Sequence, residues 1–102
     1  MEVNYVLENI LNPTVEDLKD SIENLKFPIE RDRVLFGGSE GIDSLELVTF
    51  LVAVEEKIDE VTNKSVRLVS EKAMSRKSSP FSTYGTLIDY IIESVEEAQG
   101  ES

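Results

Sequence analysis

Among the residues whose types could do chemistry, one serine stands out by its setting. Ser44 lies between Asp43 and Leu45 in the stretch Gly41-Ile42-Asp43-Ser44-Leu45-Glu46-Leu47-Val48. A serine hydroxyl acts as a nucleophile only when a neighbouring base activates it. The chain has no histidine and no cysteine, which removes the commonest general base and zinc ligand and excludes a disulfide framework or a thiolate metal site. Glu55-Glu56 and Asp59-Glu60 are acid pairs, but no oxygen-ligand loop of the calcium-binding kind surrounds them, so no metal site is expected. Independent catalysis lacks the side chains it needs, and the chain is not expected to be an enzyme.

Taken alone, Asp43-Ser44-Leu45-Glu46 is a helix start. Asp43 at the cap can accept from free backbone N–H groups, and Glu46 at the third helical position can reach back to the cap. Ser44 then sits in the first turn. The helix should run from about Ser44 to Asp59, with no Gly or Pro to interrupt it. At about 100° per residue, Leu47, Phe50, Leu51, Val54 and Ile58 fall on one face, and Leu45, Val48 and Val52 on nearly the opposite one. The wider stripe should face the core. A chain of 102 residues has limited means to enclose a helix all round, so the narrower stripe is expected to be partly exposed as a contact strip for a partner. Glu46, Glu55, Glu56, Asp59 and Glu60 accompany it against the single Lys57, and Glu40 and Asp43 precede it. This is either a solvated acidic face or an acidic frame around an apolar strip, suited to a basic patch on an enzyme.

The elements around this helix follow from spacing and punctuation. Tyr5, Val6, Leu7, Ile10 and Leu11 fit a short helical turn or two, ended by Asn12-Pro13. Val15, Leu18, Ile22 and Leu25 then predict an amphipathic helix over roughly residues 14 to 25, with Thr14 as its cap and Asp17 completing the capping box. From Lys26 to Asp43 no period survives, and Pro28, Gly37, Gly38, Ser39 and Gly41 punctuate a long loop pinned to the core by Leu35 and Phe36. Residues 61 to 83 hold the alternating Ser65-Val66-Arg67-Leu68-Val69, a short third helix capped by Ser70, and a polar, locally basic connector. After Gly85, Leu87, Ile88, Ile91 and Val95 define a last amphipathic helix with Asp89, Glu93, Glu96 and Glu97 on its other side. The tail from residue 98 to 102 is expected to fray.

The chain reads as a single domain over residues 1–102, with 1–12 as an N-terminal extension. Its formal charge of −11 argues against nucleic acid and against anionic membrane surfaces, since both require Lys and Arg to neutralise phosphates. A basic protein partner is the natural complement. The sequence carries neither an apolar run of about 18 residues nor a charged-then-apolar leader, so no membrane span is expected and a cytoplasmic location is the default.

The stretch Val34 to Ile58, "VLFGGSEGIDSLELVTFLVAVEEKI", resembles the acyl carrier protein family in its loop and second helix: an apolar pair and Gly before the site, Gly-x-Asp-Ser-Leu, then apolar spacing ending in Glu-Glu-x-apolar. "FSTYGTLIDYI", Phe81 to Ile91, is similar to the family's last helix. The resemblance implies an all-α fold, a small four-helix acyl-carrier-like bundle with a long loop between the first and second main helices and a short third helix. It implies that Ser44 carries a covalent 4'-phosphopantetheine derived from coenzyme A, that Asp43 helps the modifying phosphopantetheinyl transferase engage the serine, and that Leu45, Glu46, Val48, Val52, Glu55 and Glu56 face partner enzymes. A chain without cysteine has no thiol of its own, so the arm would supply it. Phe50, Val54, Leu68, Ile88 and Ile91 would line any cavity that receives cargo, and are otherwise plain core. Thr49 stands where many family members present glutamate. That departure, the N-terminal extension and the long basic connector before Phe81 suggest a specialised carrier.

The expected function is thus that of a monomeric acyl carrier, presenting thioester-bound acyl groups to acyl-loading and acyl-transferring enzymes of fatty-acid, polyketide or related pathways. Two alternatives stand beside it: an aminoacyl or peptidyl carrier of nonribosomal type, and an unmodified acidic helical interaction module.

Overall fold

A computed structural model describes residues 2–26, 28–69 and 80–100. Among the described residues three helices make up the fold, and no strand is formed beyond isolated bridges. The first, α1, occupies residues 3–18 as one continuous rod with three parts: an α-helical turn Val3–Val6, a π-helical segment Leu7–Leu11, and the α-helical Asn12–Leu18. The expected break at Asn12-Pro13 does not occur. Proline has no N–H and its ring crowds the carbonyl four residues back. The helix widens just ahead of it, where the Asn12 amide bonds back to the Leu7 carbonyl, and Pro13 falls at the start of the following α-helical part. Asn9 Nδ2 donates to the Tyr5 carbonyl at 3.1 Å on the exposed side of this widened region.

Two further expectations change with it. Thr14 is not a cap: it is buried within the helix, and its Oγ1 donates to the Ile10 carbonyl at 2.7 Å. The helix also stops at Leu18 rather than near residue 25. The Ser21 and Ile22 amides both bond to the Leu18 carbonyl, and Leu25 bonds back to Ile22, so residues 19–25 form successive turns. Asp20 and Ser21, whose side chains favour turns over helix interiors, stand where the periodicity alone projected more helix. Ile22 and Leu25 are nonetheless buried, so the spacing marked the core correctly and the conformation wrongly.

The second helix, α2, spans Ser44–Thr62 and ends at Asn63, a residue in the left-handed region (φ 57°) whose amide bonds to the Asp59 carbonyl. The third, α3, spans Tyr84–Gly100. Thr83 caps it: the Thr86 amide donates to Thr83 Oγ1 and the Thr83 amide to Thr86 Oγ1, both at 3.1 Å, a reciprocal box built from two threonines. The short helix expected at Ser70 lies outside the described residues, so three helices are described where four were expected.

The first turn of α1 packs on α3, while its π-helical and later parts pack on α2. The core is formed by Val6, Ile10, Leu11 and Val15 from α1, the wide stripe of α2, and Leu87, Ile88, Ile91 and Val95 from α3. Phe50, Val54, Leu68, Ile88 and Ile91 all belong to it. Glu93, Glu96 and Glu97 are exposed on the other side of α3. Among the described residues, no helix is long and apolar enough to cross a membrane.

Candidate functional site at the start of α2

The loop that delivers the chain to Ser44 is fixed by backbone bonds rather than by regular structure. On one side it is sutured to the start of α3: Gly85 donates to the Arg31 carbonyl, Tyr84 to that of Arg33, and Leu35 to that of Ser82, at 2.9–3.1 Å. Arg31 adds a two-pronged ion pair to Asp89, with Nη2 at 3.1 and 3.0 Å from the two carboxylate oxygens. Leu35 is buried as expected, while Phe36 is only partly so. Burial pushes the Tyr84 phenol above its ordinary pKa, opposed by the pull of the nearby Arg33 guanidinium.

On the other side the loop folds on itself. Ile42 donates to the Leu35 carbonyl at 2.8 Å, and Gly41 to that of Gly37 at 3.1 Å. Gly37 has a φ of 94°, which a side chain would strain. Gly41 is needed for a different reason: a Cβ there would stand 2.3 Å from the Gly37 carbonyl oxygen. Asn24 closes the turn from outside, its Nδ2 donating to the Gly41 carbonyl at 2.8 Å.

The capping box expected from the sequence is formed. Asp43 Oδ1 accepts from the Glu46 amide at 2.8 Å, and Glu46 Oε1 accepts from the Asp43 amide at 3.0 Å. The helix ladder begins with the Leu47 amide on the Asp43 carbonyl. Of the first-turn donors, those of Ser44 and Leu45 therefore have no acceptor within the helix. Ser44 is exposed at the first helical position, and its hydroxyl has no protein partner among the described residues. A shallow depression of about 430 Å³ opens beside it, walled by Phe36, Gly37, Gly38, Gly41 and Asn24.

Along α2 the two stripes separate as the spacing predicts. Leu47, Phe50, Leu51, Val54 and Ile58 are buried, whereas Leu45, Val48 and Val52 keep 79%, 38% and 44% of their surface exposed. Thr49, between them, is exposed and donates its hydroxyl to the Leu45 carbonyl at 3.2 Å. The acids divide by task. Glu56 is exposed, as are Asp59, Glu60 and Glu40. Glu46 is half-buried in the capping box, and Glu55, grouped at first with the partner-facing acids, is half-buried with Oε2 accepting from the Leu68 and Val69 amides. That hook holds the segment after α2 against the helix and leaves a groove of about 500 Å³ between Val52, Glu56 and Asp59 on one side and Ser65, Val66 and Arg67 on the other.

The structure thus places Asp43, Ser44 and Glu46 around one depression, leaves Leu45, Val48, Val52 and Glu56 exposed along α2, and commits Glu55 to the Leu68 and Val69 amides. Sequence reasoning missed Asn24, which acts across 17 residues, and the hook of Glu55 onto backbone amides. Neither belongs to a periodic pattern, so no signal in the sequence marks them.

No protein-family model, curated protein or solved structure matches this chain.

Proposed function

We propose that the chain is an acyl carrier protein, with Ser44 as the attachment point of a 4'-phosphopantetheine arm and α2 as the surface that partner enzymes engage. The observation that carries the reading is the start of α2: a serine with an unpartnered, exposed hydroxyl, fixed in direction by the Asp43–Glu46 cap, at one end of the exposed strip Leu45, Val48 and Val52. The residues fit the group. A phosphodiester on Ser44 would meet a helix N-terminus, where the first-turn amides and the macrodipole favour an anion. The depression beside the hydroxyl leaves room for the arm's first atoms. Asp43 adds a like charge at a solvent-exposed position, where screening keeps its cost small.

Once attached, the arm supplies the thiol that the chain lacks, and acyl groups are carried on it as thioesters. The chain's own residues perform the remaining tasks. Ser44 holds the arm, Asp43 orients the helix start and engages the transferase, and Leu45, Val48 and Val52 offer apolar contact. Glu56, Asp59 and Glu60 frame that contact with negative charge for enzymes with basic docking patches. Separate enzymes perform the bond-making steps.

The deciding experiment is intact-mass analysis of the whole chain after incubation with coenzyme A and a broad-specificity phosphopantetheinyl transferase. The wild type gains one phosphopantetheinyl group and Ser44→Ala gains none. A wild type that gains no mass, under conditions that modify a known carrier, sinks the proposal and leaves the exposed strip as that of an unmodified interaction module. Loading of the modified chain by acyl-transferring or by aminoacyl-transferring enzymes then separates the acyl from the nonribosomal type of carrier.

A further inference from the structure

We infer that Asn24 is a positioning residue for Ser44, an inference that rests on the functional reading above. Asn24 lies half-buried in the turns after α1, and its Nδ2 donates to the Gly41 carbonyl at 2.8 Å and lies 3.5 Å from that of Ser39. Both neighbours are carbonyl oxygens, so only the NH₂ side of the carboxamide can face them, and the orientation is dictated by chemistry. The Gly41 carbonyl belongs to the residue two before the helix cap. Gly41 has no latitude of its own, because its amide is committed to the Gly37 carbonyl and the two backbones are in contact. Asn24 therefore fastens, from a separate part of the chain, a turn whose other backbone bonds lie within residues 35–42 apart from the one from Leu35 to Ser82 at its base.

That matters because the serine is directed through its backbone alone, by the Asp43–Glu46 cap and by the turn that leads into it. The Ser44 hydroxyl has no protein partner among the described residues, so its direction follows from the backbone path into α2. The exposed strip Leu45, Val48 and Val52, by contrast, belongs to the helix itself and does not pass through the turn. Docking and presentation are thus separable: the strip sets how well a modifying enzyme binds, and Asn24 sets how well the bound serine is aimed.

Asn24→Asp tests this with almost no change in size, replacing a donor by a carboxylate that faces two carbonyl oxygens. Initial rates of phosphopantetheine transfer to the full chain are measured against chain concentration, with amide hydrogen exchange of Gly41 and Ile42 followed beside that of Leu51 and Ile91 in the core. The expected result is a kcat about tenfold lower with KM within about twofold of wild type, the size of effect that one lost hydrogen bond and its misaligned nucleophile produce. Exchange should quicken at Gly41 and Ile42 and stay slow at Leu51 and Ile91, and Asn24→Gln, which keeps the amide, should recover part of both losses. A variant that retains wild-type kcat with its core amides protected overturns the inference, as does a rise in KM at unchanged kcat. Should Asn24→Asp lose core protection, Asn24→Ser is judged by the same two criteria. A wild-type chain that accepts no arm overturns both the functional reading and the role of Asn24. The two failures are distinguishable, because the first leaves wild-type modification intact.

Discussion

Asp43 belongs to the fold before it belongs to any reaction. Its carboxylate completes the first turn of α2, so Asp43→Ala should cost about 1 kcal/mol in urea unfolding. Asp43→Asn should restore most of that loss, since asparagine caps as well as aspartate, while lacking the charge proposed to engage the transferase. Stability and modification rate, measured on the same two variants, separate the two roles. Ser44→Ala, at an exposed position, should leave stability within about 0.5 kcal/mol. The two adjacent glutamates divide in the same way. Glu55→Ala strips the acceptor from the Leu68 and Val69 amides and should cost about 1–3 kcal/mol, whereas Glu56→Ala should be near neutral for folding. An effect of Glu55 on partner binding is therefore to be judged only after its effect on the fold.

At the scale of the element, α2 is one helix with two unlike faces. Leu51→Ala should destabilise by about 2–5 kcal/mol, the ordinary cost of truncating a core leucine. Val48→Ala and Val52→Ala should cost less than about 1 kcal/mol and show their effect in partner binding instead. Thermal or urea unfolding beside an affinity measurement checks both arms. Losses of several kcal/mol at Val48 and Val52 that spare modification and transfer would move the strip into the core. This helix was legible in the sequence because its cap, its periodicity and the absence of Gly and Pro all agree, and agreement across levels is what makes a local reading reliable. The chain before it was less legible. Proline at position 13 argues for a break, yet tertiary packing of Val6, Ile10, Leu11 and Val15 keeps the rod continuous at the cost of one widened turn. The spacing of Ile22 and Leu25 identified buried residues without revealing that turns, rather than helix, bury them. At the candidate site, Ser44, its cap and the strip were readable because they are local. Asn24 was not, because its partner is distant in sequence.

The whole molecule carries a formal charge of −11, and its described ion pairs are exposed and worth little individually. Self-repulsion of that size should be relieved by screening, so the melting temperature should rise between about 0.01 M and 0.15 M salt, where the Debye length falls from about 30 to 8 Å. The alkaline limit has a different origin. Burial raises the folded-state pKa of Tyr84 above its unfolded value of 10.0, so its contribution is complete below that value and is lost as pH climbs toward the folded one. Above pH 10 the wild type should therefore lose stability more steeply than Tyr84→Phe, as followed by urea unfolding at stepped pH. The suture between the loop and α3 has a consequence in time. Arg31 and Asp89 are 58 residues apart, and the bonds joining residues 31–35 to 82–85 close nearly as long a span. Chain segments so far apart pair only after the intervening chain exists and has collapsed. During synthesis, α2 can form as soon as its own residues have emerged, but the loop that aims Ser44 must wait for the start of α3. The serine is therefore made early and aimed late, so the transferase proposed to modify it, where it reads that direction, should act only on chains in which residues 82–89 have already emerged.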